Sequence, residues 1–214
     1  MDLEEFTQTY FGLLAHRFAE YEPKALIAAV WAGTKAMMAN DGSMTNEVRF
    51  WSVFSQAMGI PPRNRDAEFA DFYRTDFHRA KAVCGENPLA KRMVELAHTR
   101  AERVILATNP LFPPCAVESR LSWIGLSSSD FDHITTYDNS SFCKPSAGYY
   151  QQICDAMSLD PGRCLMVGND LKEDAWGASQ LGMSVHIVTD SLITHDMDPA
   201  CFRCSTFAQL SQYL

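Results

Sequence analysis

No cluster of lysines or arginines stands anywhere in these 214 residues, and the formal net charge is -8. Affinity for nucleic acid rests mostly on basic side chains neutralising phosphates, so a backbone-binding role is not expected. Long apolar runs are also lacking. The N-terminus, "MDLEEFTQTYF", is acidic and amphipathic, not a basic segment followed by a greasy one. Neither a signal peptide nor a membrane span is expected, and the default compartment is the cytoplasm. The seven cysteines, at 84, 115, 143, 154, 164, 201 and 204, are odd in number and scattered. They read as buried free thiols and not as a disulfide framework. Cys201 and Cys204 have the spacing of a redox or zinc pair but lack a second ligand pair. The glycine-rich signatures G-x-G-x-x-G and G-x-x-x-x-G-K-S/T are absent too, which sets aside a dinucleotide or P-loop protein.

What is present falls into two halves with different periods. Through residue 80, apolar residues recur at helical spacing: Leu3, Phe6, Tyr10, Leu13; Leu26, Val30, Met37; Val48, Trp51, Phe54, Met58; Phe69, Phe72, Phe77. Four amphipathic helices are predicted, with breaks at "NDGSMTN" (40–46) and "GIPPRN" (59–64). Their aromatic stripe reads as the core of a bundle. After "CGENP" (84–88) come four short β-rich runs, "RVILAT" (103–108), "HITTY" (133–137), "CLMVG" (164–168) and "SVHIVT" (184–189). Helical patterns near 88–99, 112–124, 146–157 and 171–181 alternate with them. Alternation of this kind predicts βαβ units and a parallel sheet covered on both faces, with chemistry at the carboxyl ends of its strands. The expected division is a helical unit over 1–83 and an αβ unit over 84–214.

Three strand ends carry candidate chemistry, and each also has a plain structural reading. Thr108 and Asn109 follow the first strand, where a hydroxyl and backbone N–H groups could cradle an oxyanion; the same residues are ordinary turn formers. Lys144 precedes Pro145, which reads as the first residue of a helix, so the cation faces the positive end of a helix dipole. A solvated loop lysine is the alternative. Asp170 and Asp174, in "LMVGNDLKEDA" (165–175), stand four apart just past a glycine that permits close backbone approach. Two hard oxygen ligands suit Mg²⁺, while an N-cap and an acid-rich first turn would explain the same residues.

The order of these three sites resembles the later motifs of the haloacid dehalogenase superfamily. The helical unit before them is similar to the cap of its phosphatase-like members. The resemblance implies a three-layer αβα, Rossmann-like core with an N-terminal helical-bundle cap. It also implies a hydrolase in which Thr108 and Asn109 bind the phosphoryl group and Lys144 neutralises it. Asp170, and Asp174 directly or through a bridging contact, would hold Mg²⁺. The substrate implied is a small phosphorylated metabolite, with no nucleic acid or membrane partner; the oligomeric state is open.

That family attacks phosphorus with an aspartate in a D-x-D-G-T/S motif on the central strand, ahead of the cap. No such motif is here. Asp130-Phe-Asp132 precedes a strand, Asp196-Met-Asp198 lies in a polar stretch, and Ala39 precedes Asn40-Asp41-Gly42-Ser43 where the nucleophile would stand. Without that strand, two edges go unpaired, with buried orphan groups costing on the order of 10 kcal/mol in total. A typical domain has only about 5–15 kcal/mol to lose. The expectation is therefore roughly 15–25 further N-terminal residues, with Met1 a misplaced start, or a defective fragment; the 214-residue chain alone should turn over little. The alternatives are a pseudoenzyme that binds phosphate or metal, and a haloacid dehalogenase, which has no use for the Mg²⁺ site.

Overall fold

The computed structural model describes residues 3–61, 63, 65–85 and 87–213. Met1, and Pro62, Asn64 and Glu86 of the two breaker stretches, lie outside the described residues.

Four helices open the chain: α1 (Leu3–Arg17), α2 (Pro23–Met38), α3 (Asn46–Met58) and α4 (Asp66–Arg74), followed by a 3-10 segment, Asp76–Val83. Local chemistry sets their ends. Glu22 accepts the Ala25 N–H at 2.7 Å with Pro23 in the first turn of α2, and Thr45 caps α3. Gly59 closes α3 at φ 64°, in the left-handed region that glycine enters without strain. The aromatic stripe is buried as a bundle core, with Phe54, Phe72 and Phe77 at 1 % exposure or less. That core does not stop at the end of the helical unit. It continues through Ala116, Trp123, Tyr137 and Cys143 of the second half.

The second half runs α5 (Ala90–Arg100), β1 (Ile105–Leu106), α6 (Pro114–Trp123), β2 (His133–Ile134), α7 (Ala147–Met157), β3 (Leu165–Gly168), a π-helical turn (Leu171–Trp176), α8 (Gly177–Ser179), β4 (Ser184–Val188) and β5 (Arg203–Ser205). All pairings are parallel, and successive strand residues turn to opposite faces. Leu106 packs under α5 and α6, and Val167 and Val188 pack with Met93 and Leu96 of α5. Ile105, Ala107, Met166 and Val185 pack against Tyr149, Tyr150 and Ile153 of α7 and Ala178 of α8. Helices on both faces of a parallel sheet give the αβα arrangement expected from the alternation.

The sheet comes in two pieces, β1–β2 and β3–β4–β5. Among the described residues no ladder joins β1 to β3, which is where the expected central strand would run.

Several sequence expectations need correction. The first two runs shorten to two-residue strands, since β1 is held by a ladder on one side only. Pro145 is not the first residue of α7; the Lys144–Pro145 peptide is cis, Ser146 is the N-cap and Ala147 opens the helix. The segment expected as one helix over 171–181 is a π-helical turn followed by a short α8. Residues 203–205 form a fifth strand that polar composition concealed. All seven cysteines are free as expected, but only Cys143 and Cys154 are buried, and Cys201 and Cys204 are exposed.

Candidate active site at the strand ends

The carboxyl ends of β1 and β3 and the start of α7 bring the five sequence-predicted residues into one neighbourhood. Just past β1, the Thr108 hydroxyl donates to the Thr135 carbonyl at 3.0 Å. The Thr108 carbonyl in turn accepts from the hydroxyls of Thr135 and Tyr149, at 2.8 and 2.7 Å. Thr108 thus ties β1 to β2 and to α7. Asn109 reaches across the break in the sheet. Its amide nitrogen lies 3.3 Å from both Glu173 oxygens, and its oxygen accepts the Lys144 main-chain N–H at 3.3 Å.

Lys144 is buried, at 7 % exposure, so the solvated-loop reading fails. Its ammonium donates to Asp174 Oδ1 at 2.6 Å and sits 5.7 Å from the centre of the Tyr149 ring. Burying both charges is tolerable because they are paired and hydrogen-bonded. Asp174 spends its other oxygen, Oδ2, on the N–H groups of Asn169 and Asp170, at 2.9 and 3.0 Å. Gly168 is required by that packing: a Cβ there would lie 2.2 Å from Asp174 Oδ2 and 2.5 Å from Asp174 Cβ.

Asp170 does two things. Oδ1 accepts the N–H groups of Lys172 and Glu173, at 2.9 and 2.7 Å, which is the N-cap expected from the bland reading. Oδ2 points away from the helix and meets His195 Nε2 at 2.8 Å. His195 is half-exposed, its side chain retaining 40 % of its accessible surface.

Glu173, His195 and Tyr150 were missed. Glu173 sits in "KED", where an acid suits a helix start and gives no separate signal; burial and then the Asp170 charge push its carboxyl up. Tyr150 donates to the Glu173 carbonyl at 2.5 Å and thereby fixes the π-helical turn onto α7. His195 lies on a loop 25 residues beyond Asp170, and nothing in its surroundings in sequence marks it.

The donor chemistry suits a hard cation at one point. Mg²⁺ takes one or two carboxylates plus waters, and Asp170 Oδ2 is held only by a half-exposed side chain. Both oxygens of Asp174 already serve Lys144 and the backbone. Among the described residues no cluster of three His, Cys, Asp or Glu side chains forms a complete ligand set. The substitutes for a nucleophile are elsewhere: Asp132 caps the Val104 N–H at the amino end of β1, and Asp130 closes a 3-10 turn.

Comparison with known proteins agrees with the fold. Among solved structures, a HAD phosphatase from Thermococcus onnurineus superimposes with a TM-score of 0.60 at 15% identity, over 98% of this chain and 90% of that one. A HAD hydrolase from Bacillus subtilis bound to magnesium gives 0.55 at 15% identity, over 100% and 93%. At such identities the likeness is one of fold. In sequence, the glyceraldehyde 3-phosphate phosphatase of Methanothermobacter thermautotrophicus is 35% identical over 68 residues, 32% of this chain, and that match spans only 30% of the relative's length. No helix among the described residues is long and apolar enough to cross a membrane. The family model for haloacid dehalogenase-like hydrolases matches residues 14–182, most of the chain, and the chain belongs to that family.

Proposed function

We propose that this chain serves a magnesium-dependent phosphatase of a small phosphorylated metabolite, with the attacking aspartate carried on a strand outside these 214 residues. The observation that carries the reading is the buried Lys144–Asp174 ion pair, which ties the segment ahead of α7 to the turn beyond β3. A cation there is costly to keep, and it has donors beyond the one used on Asp174. The break between β1 and β3 supports a further strand between them.

In this reading Asp170 Oδ2, once freed from His195, would hold a magnesium ion, which would supply Lewis-acid charge stabilisation to the phosphoryl oxygens. Lys144 would neutralise the phosphoryl group, and Asp174 holds its ammonium in position. Asn109 turns its amide from Glu173 to a phosphoryl oxygen, and Thr108 does the same with its hydroxyl once it leaves Thr135. Residues 1–83 act as the cap and 84–214 as the core. The two are joined by Asn46, whose buried amide reaches the carbonyls of Pro110 and Phe142.

The open sheet favours one second reading, a protein that binds phosphate and metal without turning substrate over. Dehalogenation is disfavoured by an acidic site, since displacement on carbon makes no use of a metal-binding carboxylate. Calorimetry with MgCl₂ and inorganic phosphate tests the binding half. The expected result is phosphate binding that strengthens with Mg²⁺ and is lost in Asp170→Asn. Equal phosphate binding with and without Mg²⁺ would remove the metal from the proposal.

A further inference from the structure

Asp170 Oδ2, the oxygen assigned above to the cation, is reached by the chain itself. His195 Nε2 lies 2.8 Å from it. A carboxylate only accepts, so that nitrogen carries its proton towards Asp170 and has no lone pair to offer a metal ion. The imidazole takes the cation's place instead of joining its ligands.

The segment that delivers the imidazole is anchored on both sides of it. Ile193 pairs with Asp170 as an isolated parallel bridge. The Leu171 N–H donates to the Ile193 carbonyl and the Ile193 N–H to the Asn169 carbonyl, each at 2.9 Å. The Asn169 side chain donates to the Ser191 carbonyl at 2.7 Å. Leu192 and Met197 pack into the cluster of Leu171, Ala175 and Ile187. Between these anchors the chain turns back, the Met197 N–H donating to the Thr194 carbonyl at 2.9 Å. The two central residues of that turn, His195 and Asp196, stand at φ 48° and 62°. Left-handed backbone at two successive residues other than glycine is uncommon, and such strain persists only where the surroundings hold it.

The contact is also easy to open. The His195 side chain keeps 40 % of its surface in solvent, against 12 % for Asp170. Its ring makes no second hydrogen bond among the described residues. Asp170 Oδ1, by contrast, holds the N–H groups of Lys172 and Glu173. The imidazole can therefore swing out and free Oδ2 while the carboxylate stays where it is.

We propose that His195 is an autoinhibitory latch: its imidazole occupies Asp170 Oδ2 until a divalent cation displaces it into solvent. The inference rests on the metal role given to Asp170 under the proposed function. The 191–197 segment then sets how much of the cation's binding energy is spent on opening the site, so the chain itself weakens its cation affinity.

The test is a MgCl₂ titration of the whole chain and its variants, followed through the main-chain NMR signals of Asp170 and Lys172, which reads affinity without substrate or turnover. His195→Gly removes the imidazole and accepts the left-handed backbone without strain. It is expected to bind Mg²⁺ about tenfold more tightly than the parent, the scale of one hydrogen bond to a charged group. In the parent, the His195 ring signals should shift with the same midpoint as those of Asp170. Binding should be lost in Asp170→Asn. Equal or weaker binding by His195→Gly, with binding still lost in Asp170→Asn, overturns the latch and leaves the metal site standing. Binding that survives Asp170→Asn, or none by any of the chains at millimolar Mg²⁺, overturns the metal assignment and the latch with it.

Discussion

Lys144 Nζ and Asp174 Oδ1 stand 2.6 Å apart, and both side chains are almost wholly shielded from water. Removing one partner strands a buried charge. Lys144→Met is therefore expected to cost about 3–5 kcal/mol in urea unfolding. The double variant Lys144→Met/Asp174→Asn, which removes the second charge and keeps an acceptor oxygen for the N–H groups of Asn169 and Asp170, should recover most of that loss. A single variant within about 0.5 kcal/mol of the parent would mean the pair is open to solvent.

Gly168→Ala places a Cβ 2.2 Å from Asp174 Oδ2, with backbone and carboxylate both hemmed in. Overpacking of this kind costs about 1–3 kcal/mol. A loss of that size in urea unfolding is expected. An unchanged midpoint would show that Asp174 moves freely, contrary to its three hydrogen bonds.

Asn46 is fully buried, and its amide joins the first half of the chain to the carbonyls of Pro110 and Phe142. Asn46→Leu should cost about 1–3 kcal/mol, because it leaves those carbonyls and Asn40 without their partner. The informative measurement is proteolysis. Cleavage between the two halves should rise in the variant, and equal protection would assign the junction to apolar contacts alone.

His186 lies buried in β4, 2.7 Å from Ser205 Oγ, and burial lowers its pKa, with Arg203 adding to the shift. His133 is lowered by burial as well. A depressed imidazole binds fewer protons folded than unfolded, so its contribution is fully present above the unfolded pKa of about 6.5. It is lost as pH falls from there towards the folded value. Melting temperature should thus drop between pH 7.5 and 5.5, and His186→Gln should drop less. An equal drop in both proteins would assign the pH dependence to other groups.

Much of the site could be read from the sequence because its residues sit where strands end, and strand ends are marked by abrupt changes of pattern. Thr108, Asn109, Lys144 and Asp170 all came from such positions. What escaped lacked a local mark. Glu173 is one acid among three in a helix start, and only the fold brings it to Asn109. His195 acts on Asp170 across 25 residues. β5 is three polar residues whose only qualification is pairing with β4, and sequence patterns do not register a partner. Proline statistics favour Pro145 as a first helical residue, but Ser146 takes the N-cap and α7 starts at Ala147. Pattern located the helices and the alternating strands, but the aromatic core that continues from the former into the latter depends on three-dimensional packing alone.

Phosphate release from 4-nitrophenyl phosphate tests the proposed reaction most directly, using the protein completed at its N-terminus by an apolar strand ending in D-x-D-G-T/S. Release should require Mg²⁺ and disappear in Asp170→Asn, whereas the 214-residue chain alone should release little. Full release by Asp170→Asn, or release unaffected by chelating the metal, would contradict the assignment of Asp170 and of the reaction with it.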